Sequence, residues 1–70
     1  MTHNERAQRH VRLLANRLFG LVSAGRMNES SVFMQLSGYV DSPAFSLMDK
    51  RALIEDAYAI HHLPSPYERA

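Results

Sequence analysis

The sequence predicts an all-α domain of three short-linked helices, and three observations carry that prediction. Apolar residues return at steps of three and four in three separate stretches. Helix-stopping and helix-starting residues stand between those stretches, at Gly25, Asn28 and Asp41-Ser42-Pro43. No stretch shows the two-residue alternation of a strand, and there is no internal repeat or low-complexity tract. Short links between helices then favour a bundle around a single core, one domain over residues 1–70.

The first helix is expected over about residues 5–24, after a frayed polar lead at 1–4. Ala7, Val11, Leu14, Leu18 and Leu21 form its seam, and Ala15, Phe19 and Val22 widen it. Arg6, Arg9, Arg12, Asn16 and Arg17 occupy the opposite face. Glu5 near the start and Arg17 and Arg26 toward the end suit the helix dipole. Gly25 stands where a left-handed residue ends a helix. Gly20 falls inside the helix on its wet side, either as tolerated weakness or as a place of close backbone approach.

Asn28 is placed as the N-cap of a second helix over about residues 29–40. Val32, Phe33, Leu36, Tyr39 and Val40 repeat at helical spacing, while Met34 and Gly38 point outward. Pro43 fits a first helical position, and Ser42 before it is a cap candidate. Ser46 with Asp49 three residues later offers a competing start. One continuous third helix over about residues 43–62 is expected, with its apolar arc at Leu47, Leu53, Ile54, Ala57, Tyr58 and Ile60. Asp49, Arg51, Glu55 and Asp56 take the other side, with Arg51 and Glu55 spaced for an ion pair. Pro64 ends that helix and opens an extended tail over residues 63–70, in which Tyr67 either folds back or hangs free.

Size and composition limit the function. A 70-residue chain without cysteine sits near the lower limit for a self-sufficient core, so self-association as a homodimer is expected. Val11, Leu14, Leu18, Leu21, Val22, Leu36, Ile54 and Tyr58 are the residues expected in the core and at the dimer contact. Absence of cysteine suits a reducing cytoplasm, and no run is long enough to span a bilayer or to form the apolar centre of a signal peptide. The net charge of +1 hides an asymmetry: the chain to Arg26 carries +4 and the rest −3. The two halves either attract each other or leave the arginine face for an anionic partner.

Site chemistry is thin. His61 and His62 leave a helix about 100° apart, and His3 and His10 lie two turns apart, so neither pair makes a convincing metal site. His61 falls in the apolar arc of the third helix and reads as a partly buried hydrogen-bonding group. Ser30 and Ser31 read as capping residues, the glycines are isolated rather than gathered into a phosphate loop, and the carboxylates of the third helix share a solvated face. No catalytic residue, metal or cofactor is assigned.

Binding fits better. Leu13 lies among arginines on the outer side of the first helix, and interface centres favour arginine with apolar anchors. The partner-binding candidates are Arg6, Arg9, Leu13 and Arg17, with Met34 and Tyr39 second. The alternative is a nucleic-acid-binding helical dimer in which the same arginines run beside a phosphate backbone, against which stands the acidic remainder of the chain. No membrane partner is expected.

Leu18-Phe19-Gly20-Leu21-Val22-Ser23-Ala24-Gly25-Arg26, then Asn28, Val32-Phe33 and Leu36, then Arg51-Ala52-Leu53-Ile54-Glu55 set an order of features over the middle of the chain. In that order the sequence resembles a bacterial family, the small biofilm and acid-resistance regulators called two-component connectors. The arginine-dense start and the Pro-rich tail depart from the family's pattern. The resemblance implies a helical dimer that binds a transcription regulator rather than a substrate. Small phage-type proteins that disarm host regulators share the same economy of size.

Overall fold

The computed structural model describes residues 3–67. Residues 1–2 of the expected frayed lead and residues 68–70 of the tail lie outside the described part. Three helices follow in order: α1 (His3–Ser23), α2 (Glu29–Val40) and α3 (Leu47–Ala59). Each packs against the other two. No helix among the described residues is long and apolar enough to cross a membrane.

The seam of α1 faces inward as its spacing requires. Ala7, Val11, Ala15, Leu18 and Phe19 are buried, and Leu14, Leu21 and Val22 pack partly covered against them. Gly25 adopts φ 74°. Its N–H donates to the Val22 carbonyl at 3.0 Å and the Arg26 N–H donates to the Leu21 carbonyl at 2.9 Å. Those two bonds are the Schellman closure, which satisfies carbonyls that the helix end leaves open. The Gly20 position is open, with no atom among the described residues close enough to require glycine. The backbone approach considered for it is therefore absent among the described residues.

Asn28 stands at the start of α2 in extended backbone, but its side chain makes no capping bond. Val32, Leu36 and Val40 enter the core at successive fours. Tyr39, which the spacing placed in this seam, is 45% exposed instead.

The third helix is shorter than expected at both ends. Both candidate start signals are used, for different purposes. Ser42 closes a turn: its Oγ accepts from the Ala44 N–H at 3.2 Å and its carbonyl from the Phe45 N–H at 3.1 Å. That turn brings Phe45 against the core. Ser46 then caps the helix proper, its Oγ accepting from the Asp49 N–H at 3.1 Å. At the far end the helix stops before Pro64. His62 takes the left-handed conformation, φ 59°, its N–H donating to the Ala59 carbonyl and the Leu63 N–H to the Tyr58 carbonyl. This is a second Schellman closure, with histidine where glycine is usual. Leu47 and Ile60, placed in the apolar arc from sequence, lie at these shortened ends and are 84% and 44% exposed.

Left-handed histidine is strained. The conformation costs an L-residue roughly 1–2 kcal/mol, against about 0.5–1 kcal/mol of extra chain entropy that glycine brings to the unfolded state. His62→Gly is therefore expected to stabilise the domain by about 0.5–1 kcal/mol, a rise of roughly 2–8 °C in melting temperature. A thermal melt followed by circular dichroism checks this, and a lower melting temperature would contradict the strain argument.

The core gathers Val11, Ala15, Leu18, Val32, Leu36, Val40, Leu53, Ile54, Ala57 and Tyr58, with Phe19 edge-on to the Tyr58 ring at 5.2 Å. No side chain with a polar or charged group other than Tyr58 is fully buried among the described residues. The wide stripe of α1 is thus covered by α2 and α3 of the same chain.

The tail folds back. Ser65 Oγ donates to the Glu55 carboxylate at 2.8 Å and accepts from the Tyr67 N–H at 3.2 Å. The Tyr67 ring lies edge-on to Phe33 and under the Arg51 guanidinium, 5.1 Å from its centroid. Arg51 also holds Glu55 at 3.0 Å, the ion pair its spacing predicts. The Ser65 hydroxyl first, then Arg51, lowers the Glu55 carboxyl below its ordinary value of 4.5. Burial, then the Glu55 charge, raises the Tyr67 phenol above its ordinary 10.0. A lowered acid contributes stability above its unfolded value and loses it as pH falls through its folded one; a raised phenol contributes below its unfolded value and loses it as pH rises through its folded one. The tail is therefore expected to stay docked between about pH 5 and pH 9 and to loosen at both extremes. Ring resonances of Tyr67 followed by NMR check this; a chemical shift that changes most near neutral pH would contradict it.

Candidate functional site

The candidate surface is built on the outer side of α1. Buried residues at 7, 11, 15 and 18 fix the helix's rotation, which turns Arg6, Arg9, Leu13 and Arg17 into solvent. All four are exposed, Leu13 by 63%. Arg6, His10, Leu13 and Arg17 follow at steps of four, three and four and make one stripe. His10 lies at the edge next to α2, where its Nδ1 and the Tyr39 hydroxyl sit 3.1 Å apart. Tyr39 therefore adjoins the arginine stripe. Met34 does not: five residues earlier, it leaves α2 about 140° around the cylinder from Tyr39. It is an exposed residue on a different side of the molecule.

Toward α3 the surface changes character. Arg12 is drawn inward, its Nε and Nη2 donating to the two Asp56 carboxylate oxygens at 2.7 and 2.8 Å. This side-on fork is the strong geometry of an arginine–carboxylate pair. The Asp56 bond, and then its charge, holds the Arg12 guanidinium more firmly protonated than usual. Sequence placed Asp56 on a solvated face; it is half-buried and joins the basic first helix to the acidic remainder. Arg6, Arg9 and Arg17 have no ion pair among the described residues.

Beside the Arg12–Asp56 pair runs an open groove of about 540 Å³. Glu5, Gln8, Arg9, Leu13 and Asn16 of α1 form one wall, and Ile60 and His61, just past the end of α3, form the other. Leu13 belongs to both features, on the ridge between the arginine stripe and the groove. His61 is half-buried, its ring packed on Phe19 at 4.8 Å. It is partly buried as expected, and its Nε2 is buried with no hydrogen-bond partner among the described residues. No group of three metal-ligating side chains comes together among the described residues.

Of the residues assigned to core and dimer contact, Val11, Leu18, Leu36, Ile54 and Tyr58 are buried within one chain, and Leu14, Leu21 and Val22 are partly covered. Ile60 and His61 were not among the sequence-derived binding candidates. Ile60 carries the periodicity of the α3 core, but it stands at the C-cap of α3 and is 44% exposed.

No family model, curated protein or solved structure matches this chain.

Proposed function

We propose that this protein is a non-enzymatic regulator that binds a partner protein, a transcription regulator or signalling protein, and occludes a functional surface on it. The carrying observation is the outer face of α1, where an exposed leucine stands among three arginines without ion pairs among the described residues. Arginine with an apolar anchor is the composition that interface centres favour. Arg6, Arg9, Leu13 and Arg17 carry the contact, Tyr39 extends it through His10, and Met34 belongs to a separate exposed spot. The resemblance to the connector family, which rests on its residues alone, and the small size of phage-type inhibitors point the same way. The protein acts stoichiometrically, in the cytoplasm, as an anti-activator, connector or host-modulating inhibitor.

The homodimer expected from chain length has support in Leu47 and Met48, two neighbouring side chains left almost bare at the start of α3. The three arginines, without ion pairs among the described residues, also favour a second reading, a nucleic-acid-binding dimer; the leucine at the centre of that face is what a phosphate backbone has no use for. Leu13→Asp tests the first reading: partner binding is lost while helicity stays.

A further inference from the structure

We propose that the groove between α1 and the end of α3 receives an acidic amphipathic helix of the partner protein. The proposal rests on the protein-binding reading and deepens it by assigning the occupant. Glu5 to Asn16 spans about 16 Å along α1, close to three turns of a helix laid beside it. A volume of about 540 Å³ suits a few anchoring side chains rather than a whole helix. Leu13 and Ile60 are large apolar side chains on opposite walls, exposed by 63% and 44%. An apolar stripe inserted between them, with anchors three and four residues apart, covers both.

Charge decides the flanks of that helix. Arg9 lies in the groove and Arg6 and Arg17 on the ridge behind Leu13, all without ion pairs among the described residues. Carboxylates on either side of the apolar stripe meet them, and guanidinium–carboxylate pairs add direction to the contact. Arg12 is already committed to Asp56, so the floor of the site is held in place before binding. A second copy of this chain is a poor source of such a helix. Its Asp41, Glu55 and Asp56 are already paired with Lys50, Arg51 and Arg12, and Glu29 and Asp49 stand singly in the first turns of two different helices rather than along one helix face. A nucleic acid supplies the negative charge but nothing to cover Leu13 and Ile60.

The test pans a displayed library of helical peptides against the intact protein, then measures the selected peptides and a DNA duplex by fluorescence anisotropy. Selected peptides are expected to be acidic, with leucine or phenylalanine at three- and four-residue spacing. Ile60→Asp and Arg9→Glu, both exposed positions, are each expected to weaken them about tenfold or more at unchanged circular dichroism. Selection of basic peptides, of no peptide, or of peptides that bind Ile60→Asp equally well would overturn the proposal, as would tighter binding of the duplex. The same variants separate this claim from the one beneath it. A captured partner protein that is lost on Arg6→Glu/Arg17→Glu but kept on Ile60→Asp removes the groove and leaves the regulator reading. A partner indifferent to both removes the two together.

Discussion

Leu36→Ala is expected to cost about 2–5 kcal/mol, roughly half of the stability available to a domain of this size. Leu36 is fully buried at the middle of α2, among the largest side chains in the core. Truncation removes its apolar area from the folded state and leaves a cavity that three packed helices cannot close without shifting one another. At roughly 0.05–0.15 kcal/mol per residue, a chain of this length has only about 4–10 kcal/mol in hand, so one cavity consumes a large share. Urea titration followed by circular dichroism measures the loss. Leu36→Met, which nearly conserves volume, is expected to cost under about 1.5 kcal/mol. A loss below about 1 kcal/mol for alanine would mean that Leu36 is not closely packed, and the arrangement of α2 would have to be revised.

The helices were legible wherever burial and spacing agree. Val11, Leu18 and Leu36 repeat at helical intervals and are buried where those intervals put them. Gly25 announced its turn because few residues other than glycine enter the left-handed region cheaply. The limits of α3 were harder to read because Ser42 and Ser46 compete and local sequence does not rank them. Phe45 does, by needing a turn that carries it onto the core. The far end was hidden altogether, since histidine at φ 59° is not a signal that residue type provides.

The candidate site was half legible for the same reason. Arg6, Leu13 and Arg17 follow from the rotation of one helix, which periodicity fixes. The groove needs two helices and a turn, and its Ile60 wall carries the spacing of a core residue. The commitment of Arg12 to Asp56 joins positions 44 apart, beyond any local pattern. That pairing separates Arg12, which ties α1 to α3, from Arg6, Arg9 and Arg17, which have no ion pair among the described residues.

Leu13→Asp carries the other large effect. A leucine at the centre of a desolvated contact contributes as an anchor, and an aspartate there must be buried without its water. Loss of about 2 kcal/mol or more in partner affinity is expected, thirtyfold or so in dissociation constant. Folding is expected to be spared, because 63% of the leucine is already in solvent and none of the buried core is disturbed. The added charge also sits among Arg6, Arg9 and Arg17, which lessens repulsion within the helix.

The decisive measurement is therefore titration of the captured partner protein with wild-type and Leu13→Asp protein, alongside their circular dichroism spectra. Equal helicity with lost affinity is the predicted result. Equal helicity with undiminished affinity would place the partner elsewhere, and collapsed helicity would mean that Leu13 belongs to the core.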